Sequence, residues 1–255
     1  MPTATYHLSS EELAAAVALS GQHEKATGFL RTIAGEVPGE QLAAMLNTAH
    51  HSLMSRGLCS VDGSDQLVDG MTDLVKGVLN PDALIRATKT APFGEWALNF
   101  FRITNGWLRQ RNINLWISRY DLPIVNPVIA EEIISFYNSH YDQHMVGRQI
   151  TLPDDFFEYS PERRRDESFL REELSRVAKD DDARRASGEI AHAEWRGTFF
   201  REGEASSPVV FLIQGPCTLW RVAAEQAENH PEGVRLWLVA LSADEFKKVV
   251  NTIIT

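Results

Sequence analysis

Apolar residues recur along this chain at two spacings, and the switches between them predict its elements. Leu13, Ala16 and Val17, with Ser20, fall on one helical face. Ser9 and Glu12 precede that face at the spacing of a capping box, in which each side chain accepts from the other's backbone N–H. Gly21 is a natural stop. A second helix is predicted from about 40 to 56, with Leu42, Met45, Leu46, Ala49 and Leu53 inward and Gly57 in the left-handed position that ends it. A short strand over 58–61, a turn at Asp62-Gly63 and a third helix over 66–79 follow, closed by Asn80-Pro81.

The middle of the chain alternates as strands do. Residues 96–104 are aromatic and apolar, and Asn105-Gly106 is a strong hairpin signal because both residues tolerate positive φ. Residues 107–110 return, and 113–120 form a further strand. Asn126-Pro127 then caps a helix that buries Ile129, Ile133, Phe136 and Tyr137. Residues 151–186 are charged and helical. Ser160-Pro161 opens a helix with Phe169, Leu170, Leu174 and Val177 on one side, and Asp180, Asp181 and Asp182 end it as a solvated run.

In 187–200, Ala191, Ala193, Trp195, Gly197 and Phe199 alternate with His192, Glu194, Arg196 and Thr198, which predicts a half-buried strand. Residues 209–213 are apolar throughout, Gly215-Pro216 interrupts them, and 218–224 resume. Residues 234–241 suit a strand covered on both faces. Ser242 and Glu245 form a second capping box, and the last helix buries Phe246, Val249, Val250 and Ile253. The predicted fold class is therefore α/β in the α+β sense, a central antiparallel sheet flanked by helical bundles. Residues 1–148 and 149–255 form two halves that share one sheet. Each half runs helices, strands, closing helix, with Leu115-Trp116-Ile117 and Leu236-Trp237-Leu238 before the closing helices, a hint of internal duplication.

Charge narrows the function. The 255 residues carry a net charge of −10, which repels phosphate backbones and anionic membranes. That matters because the opening order of helix, helix and wing-like turn is that of a winged helix. A recognition helix needs several outward Arg, Lys, Asn or Gln. The helix over 40–56 offers Gln41, Asn47, His50, His51 and Arg56, opposed by Glu40. A helical packing unit is the better reading, and a winged-helix regulatory or nucleic-acid-binding protein is the alternative. Cys59 and Cys217 sit in apolar runs and read as buried, reduced thiols. The N-terminus lacks the basic and apolar regions of a signal peptide, and no apolar run nears the ~20 residues of a membrane span, so the cytoplasm is the expected compartment.

Catalytic signatures are missing. There is no G-x-S-x-G elbow, no phosphate-binding loop of the G-x-x-x-x-G-K-[ST] kind and no G-x-G-x-x-G fingerprint. Asp62-Gly63-Ser64-Asp65 starts like a calcium loop, but its sixth position is Leu67 where a turn needs glycine. His140 and His144 lie four apart without the glutamate of H-E-x-x-H, and Cys217 has no histidine near it in sequence. The aromatic residues read mostly as core. The chain is thus expected to be a non-enzymatic binding protein with no cofactor and no metal, an enzyme of unknown class being a third reading.

Leu8-Ser9, Glu12-Leu13, the helix end Ser55-Arg56-Gly57-Leu58, a short helix near Pro81 and the strand from Trp96 to Thr104 together resemble the EspG family, the cytosolic chaperones of mycobacterial type VII secretion. Leu219-Trp220-Arg221, and Leu236-Trp237-Leu238-Val239 leading into a closing helix, resemble that family's last strands. The sequence departs from the pattern in having Leu219-Trp220-Arg221-Val222 in place of a G-R-aromatic run, and Leu241-Ser242 where proline precedes the last helix. The resemblance implies a pseudo-twofold α/β fold, a role in holding secreted clients of the PE–PPE kind soluble before export, and no catalytic residues.

Two loops are the expected contact sites, because exposed apolar patches mark interfaces. One is the hairpin after Asn105-Gly106, where Trp107 and Leu108 follow the turn and Arg109 and Arg111 add positive charge. The other runs from Phe199-Phe200-Arg201 to Ser207; alternation turns only one phenylalanine inward, and the resemblance implies a client-contacting loop at this place.

Overall fold

The computed structural model describes residues 3–60, 66–114, 116–124, 128–202, 208–226 and 234–254. In chain order its elements are β1 (Ala4–Ser9), α1 (Ser10–Leu19), α2 (His23–Ala34), α3 (Gly39–Ser55), α4 (Asp69–Leu79), β2 (Leu84–Ala91), β3 (Gly94–Ile103), β4 (Gly106–Asn112) and β5 (Ile117–Ile124). Then come α5 (Ile129–Tyr137), β6 (Gln149–Leu152), α6 (Glu167–Ser175), α7 (Asp180–Ala191), β7 (Trp195–Glu202), β8 (Val210–Gln214), β9 (Leu219–Gln226), β10 (Val234–Ala240) and α8 (Ala243–Ile254). Short 3-10 turns cover Phe156–Glu158 and Arg163–Arg165. The fold is mixed α/β with antiparallel strand pairing, as the sequence predicts. The chain forms two compact units: Met1–Leu84 with Ala97–Pro127, and Ile85–Trp96 with Val128–Thr255.

The first unit orders its strands β1-β5-β4-β3. The capping box at α1 forms, with Ser9 N–H donating to Glu12 at 2.9 Å and Glu12 N–H to the Ser9 hydroxyl at 3.1 Å. Glu12 also accepts from the Ser52 hydroxyl at 2.6 Å and from Arg56 at 2.7 Å, which ties α1 to the end of α3. Burial pushes its carboxyl up, but these hydrogen bonds outweigh burial and hold it below the usual range. The pairing occupies Arg56, the strongest cation of the supposed recognition helix.

The hairpin forms with Ile103 opposite Gly106, so its central residues are Thr104 and Asn105 and the glycine opens β4. Glycine is needed one place later than the turn signal suggests. It adopts φ +137°, and a Cβ there would lie 2.7 Å from the Ile124 carbonyl oxygen of β5. β5 starts at Ile117 rather than at 113, because the Asn114 side chain accepts from the backbone N–H groups of Trp116 and Ile117 and holds a turn; Leu115 lies outside the described residues. The strand expected over 58–61 reduces to a single bridge between Cys59 and Leu67, and the Asp62-Gly63 turn lies outside the described residues.

One carboxylate joins three strands of this unit. Asp121 of β5 is 2% exposed and accepts from Thr5 of β1 at 2.7 Å, Arg109 of β4 at 2.8 Å and Arg119 at 3.0 Å. Burial pushes the carboxyl up, and the bonds from Thr5, Arg109 and Arg119 more than reverse it, so it lies below the usual range.

The second unit orders its strands β2-β7-β8-β9-β10-β6. α8 packs against β7 and α5 on one face, where Tyr137, Phe199 and Phe246 are buried, with ring centroids 6.4 Å (Tyr137–Phe199) and 5.9 Å (Tyr137–Phe246) apart. α6 and α7 cover Ile213, Trp220, Val222 and Leu238 on the other. The capping box at Ser242 and Glu245 forms and starts α8. Asn126-Pro127 lies outside the described residues; α5 begins after Val128 and buries Ile129, Ile133 and Tyr137, with Phe136 half-buried.

Two predictions for this unit fail for physical reasons. Asp180, Asp181 and Asp182 begin α7 instead of ending a helix, because acidic side chains in a first turn face the positive end of the helix dipole. Residues 187–191 accordingly finish α7, and the strand alternation holds only from Trp195. The helix read from Ser160-Pro161 starts instead at Glu167, capped by Asp166, which accepts from Phe169 N–H at 3.1 Å.

α7 is held to the sheet by Glu189, which is buried. One of its carboxylate oxygens accepts from Cys217 N–H at 3.3 Å, Thr218 N–H at 3.4 Å and the Trp220 indole at 3.2 Å. A Cβ at Gly215 would collide with that oxygen.

Asp121→Asn is expected to destabilise the protein by about 2–3 kcal/mol at neutral pH, less than the ~3–5 of a fully buried pair because both guanidinium groups keep solvent contact. The depressed carboxyl makes its stabilisation complete above the unfolded value near ~4 and lost as pH falls through the lower folded value. Urea unfolding at pH 7 and pH 3 checks this: the gap between native and Asp121→Asn protein should narrow at the lower pH, and an unchanged gap contradicts it.

Candidate functional site

β7 sorts its residues by alternation. Trp195, Gly197 and Phe199 face the layer of α5 and α8, while Arg196, Thr198 and Phe200 face the opposite way. A Cβ at Gly197 would lie 2.5 Å from the Thr88 carbonyl oxygen and 2.8 Å from the Tyr137 ring, so only glycine permits this packing. On β8, Phe211 stands opposite Thr198 and Ile213 opposite Arg196, on the second face. α6, α7 and the 3-10 turn at Phe156–Glu158 cover Ile213 there but leave Phe211 open.

The result is a cleft of 210 Å³ on that face, between Thr88, Thr198, Phe157, Phe211, Arg164 and Arg196. Phe157 and Phe211 form its aromatic wall, 44% and 39% exposed, with ring centroids 5.2 Å apart. The Thr88 and Thr198 hydroxyls bond each other at 2.8 Å. The volume is below the about 300–1,000 Å³ of a cofactor or metabolite pocket and suits one or two inserted side chains. Arg196 donates to the Ile190 carbonyl at 2.7 Å and the Arg164 carbonyl at 3.3 Å, closing the end of α7. Burial, then repulsion from Arg164 and Arg165, pulls its guanidinium below the usual range, although arginine stays charged.

The first unit has a larger groove of 780 Å³ beside α3, lined by Ala44, Met45, Thr48 and Ile117 with Glu12 and Arg56 at its floor. Glu12 and Arg56 in it satisfy each other, and no phenylalanine, tyrosine or tryptophan lines it. The cleft of the second unit is the stronger candidate because its aromatic rings are open and its arginines lack acidic partners.

The residues singled out from sequence fall in both units. Trp107, Leu108 and Arg109 lie on β4 of the first. Trp107 is half-buried under the Arg102 guanidinium, 5.2 Å from its ring centre; Leu108 is 0% exposed in the core; Arg109 is paired with Asp121. Phe200 and Arg201 lie on β7 of the second, both half-buried, and Phe199 is the phenylalanine that alternation turns inward. Residues 203–207 of that loop lie outside the described residues. Sequence reasoning missed Phe157, Phe211, Arg164 and Arg196. The available signals were a Phe156-Phe157 pair in a charged segment and the Arg163-Arg164-Arg165 run.

Among the described residues, no group of three or more His, Cys, Asp or Glu side chains is placed to hold a metal. His140 uses its ring against the Pro216 carbonyl at 3.1 Å. Cys217 is exposed rather than buried, and hydrogen bonding to Glu189 pushes its thiol up, away from the nucleophilic thiolate. Among the described residues no helix is long and apolar enough to cross a membrane.

Fold and cleft together define a mixed α/β protein with an open aromatic recess. No protein-family model matches the chain, and no curated protein matches it in sequence. Its structure is similar to that of the Mycobacterium tuberculosis type VII secretion system chaperone EspG5, solved in complex with a PE25–PPE41 dimer. The TM-score is 0.62 at 10% sequence identity, covering 98% of this chain and 96% of the other. The likeness is one of fold, along the full length of both chains.

Phe211→Ala is expected to cost at most about 1.5 kcal/mol, the value of an aromatic pair, whereas Phe199→Ala and Leu108→Ala cost about 2–5 kcal/mol as core truncations. Urea midpoints at constant slope measure both. An equal loss at Phe211 would mean that the cleft is closed packing.

Proposed function

We propose that this protein is a non-enzymatic adaptor of the type VII secretion chaperone kind, which binds a secreted client of the PE–PPE type in the cytoplasm and keeps it soluble before export. The observation that carries this reading is the full-length likeness in fold to EspG5, a chaperone solved with its PE–PPE dimer. The open Phe157–Phe211 wall supports it, since a protein that shields apolar segments needs an apolar surface of its own. In this reading Phe157 and Phe211 supply the anchor pocket. Phe200 and Arg201 extend it along β7, and Trp107 with Arg109 on the β4 hairpin forms a second contact. Leu108 supports that hairpin from the core. The halves 1–148 and 149–255 act as one folding unit with a shared sheet.

Co-expression with the PE–PPE pairs encoded in the same genome tests the proposal. One pair should elute with the chain as a stable complex in size exclusion, and the soluble fraction of its PPE partner should rise. Phe157→Ser and Phe211→Ser should each weaken the complex by roughly 10-fold or more, as truncation of a hot-spot side chain does, while Phe200→Ala and Trp107→Ala measure the lesser contacts. If every pair stays insoluble or elutes apart from the chain, the chaperone reading is wrong. Salt-sensitive binding to duplex DNA would favour the nucleic-acid alternative.

A further inference from the structure

The chain has 35 acidic and 25 basic residues, and several of its arginines pair with carboxylates. Arg56 pairs with Glu12, Arg109 and Arg119 with Asp121, Arg148 with Asp182, Arg176 with Glu172 and Glu173, and Arg184 with Asp181. Arg164, Arg165 and Arg196 lie close together. Arg164 and Arg165 repel Arg196; Glu162 attracts Arg165, but among the described residues no carboxylate forms an ion pair with Arg164 or Arg196. The Nε atoms of Arg164 and Arg196 are buried and have no hydrogen-bond partner. Both side chains line the cleft that Phe157 and Phe211 wall. Arg165 lines the adjoining hollow with Arg196, Thr90 and Glu194.

Guanidinium groups that line a cleft without a carboxylate partner favour an anionic acceptor, with which they form their strongest hydrogen bonds. A like-charged trio adds a second reason to prefer an anion. The aromatic wall beside it excludes a free inorganic anion as the best occupant, because such an ion would leave the rings wet. A nucleic acid is disfavoured by the net charge of −10.

We propose that the Arg164–Arg196 side of this cleft receives an aspartate or glutamate carboxylate of the partner protein, next to an aromatic or aliphatic side chain that enters between Phe157 and Phe211. The inference rests on the adaptor reading and deepens it: the client segment carries an apolar residue adjoining an acid. The apolar residue fills the recess, and the carboxylate pairs with the Arg164 and Arg196 guanidinium groups that line it. Arg196 is held in place by the Ile190 carbonyl, so the acceptor meets a preorganised donor.

The test uses the full chain and blocked pentapeptides followed by NMR at the arginine Nε–H signals. The probes are Gly-Phe-Asp-Gly-Gly, its Phe-Asn and Ala-Asp counterparts, and sodium phosphate. The Phe-Asp peptide should shift the signals of Arg164 and Arg196 and bind roughly tenfold more tightly than either counterpart. Arg164→Gln should abolish the difference between Phe-Asp and Phe-Asn. Arg196→Lys, which keeps the charge and a donor to the Ile190 carbonyl, should reduce it while the protein stays folded. Equal binding of Phe-Asp and Phe-Asn, or unmoved Nε–H signals, overturns the carboxylate. Equal binding of Ala-Asp overturns the apolar neighbour. Phosphate shifting the same signals as strongly as the peptide overturns the protein partner in favour of a free anion. A client that co-purifies equally with native and Arg164→Gln protein sinks this inference and leaves the adaptor reading standing, whereas failure of every client sinks the adaptor reading.

Discussion

The second unit depends on the buried carboxylate of Glu189. Three donors of the β8–β9 turn and its flank, Cys217 N–H, Thr218 N–H and the Trp220 indole, converge on one of its oxygens. A buried carboxylate needs hydrogen bonds in place of its water. Here they pin α7 at a fixed height on the sheet. The next residue of the helix, Ile190, gives its carbonyl to Arg196. The two contacts set how far α7 reaches across the second face, and so how much of that face is left open. The cleft is the part of the sheet that α7 does not cover.

The first unit solves a different problem with the same means. β1 and β5 are far apart in sequence, and only long-range pairing joins them. Asp121 makes the join specific by accepting from β1, β4 and its own strand at once. Arg109 is therefore a structural cation, whatever Trp107 beside it contacts. In each unit a single acid fixes the packing, and Arg109, a partner of Asp121, is a residue that sequence reading places in a surface site.

Local rules were legible in the sequence where one short segment decides the outcome. Both capping boxes, at Ser9–Glu12 and Ser242–Glu245, form as the spacing requires, and the inward and outward phenylalanines at 199 and 200 follow from alternation. The helix over 39–55 and the strands of the C-terminal part were equally plain. Elements stabilised from a distance were not legible. α2 buries only Ala26 and Leu30 and leaves Phe29 and Ile33 exposed, so its apolar residues do not mark a single buried face. β1 and β6 are short edge strands whose partners lie elsewhere in the chain. Asp180–Asp182 misled because an acidic run suits a helix start as well as a solvated end, and only the following burial of Ala183, Ala186 and Ile190 decides between them.

The cleft was illegible for a related reason. Phe211 belongs to a run that is apolar throughout, so the sequence offers no cue that one residue of it is open. Its exposure follows from where α7 stops, and that is set by Glu189 and Arg196 together. Arg196 reads in sequence as the polar half of a strand alternation, an ordinary solvent-facing cation. In the fold it is held against two carbonyls, beside two further arginines, with its Nε and that of Arg164 unmet. Among the described residues no carboxylate forms an ion pair with Arg164 or Arg196, although Glu194 lines the adjoining hollow. Charge of one sign collected beside an open aromatic wall costs stability in the isolated protein, and a partner that brings the opposite charge recovers that cost. In the proposed adaptor reading, recognition draws on what the fold leaves open, which a sequence records only after the packing around it is known.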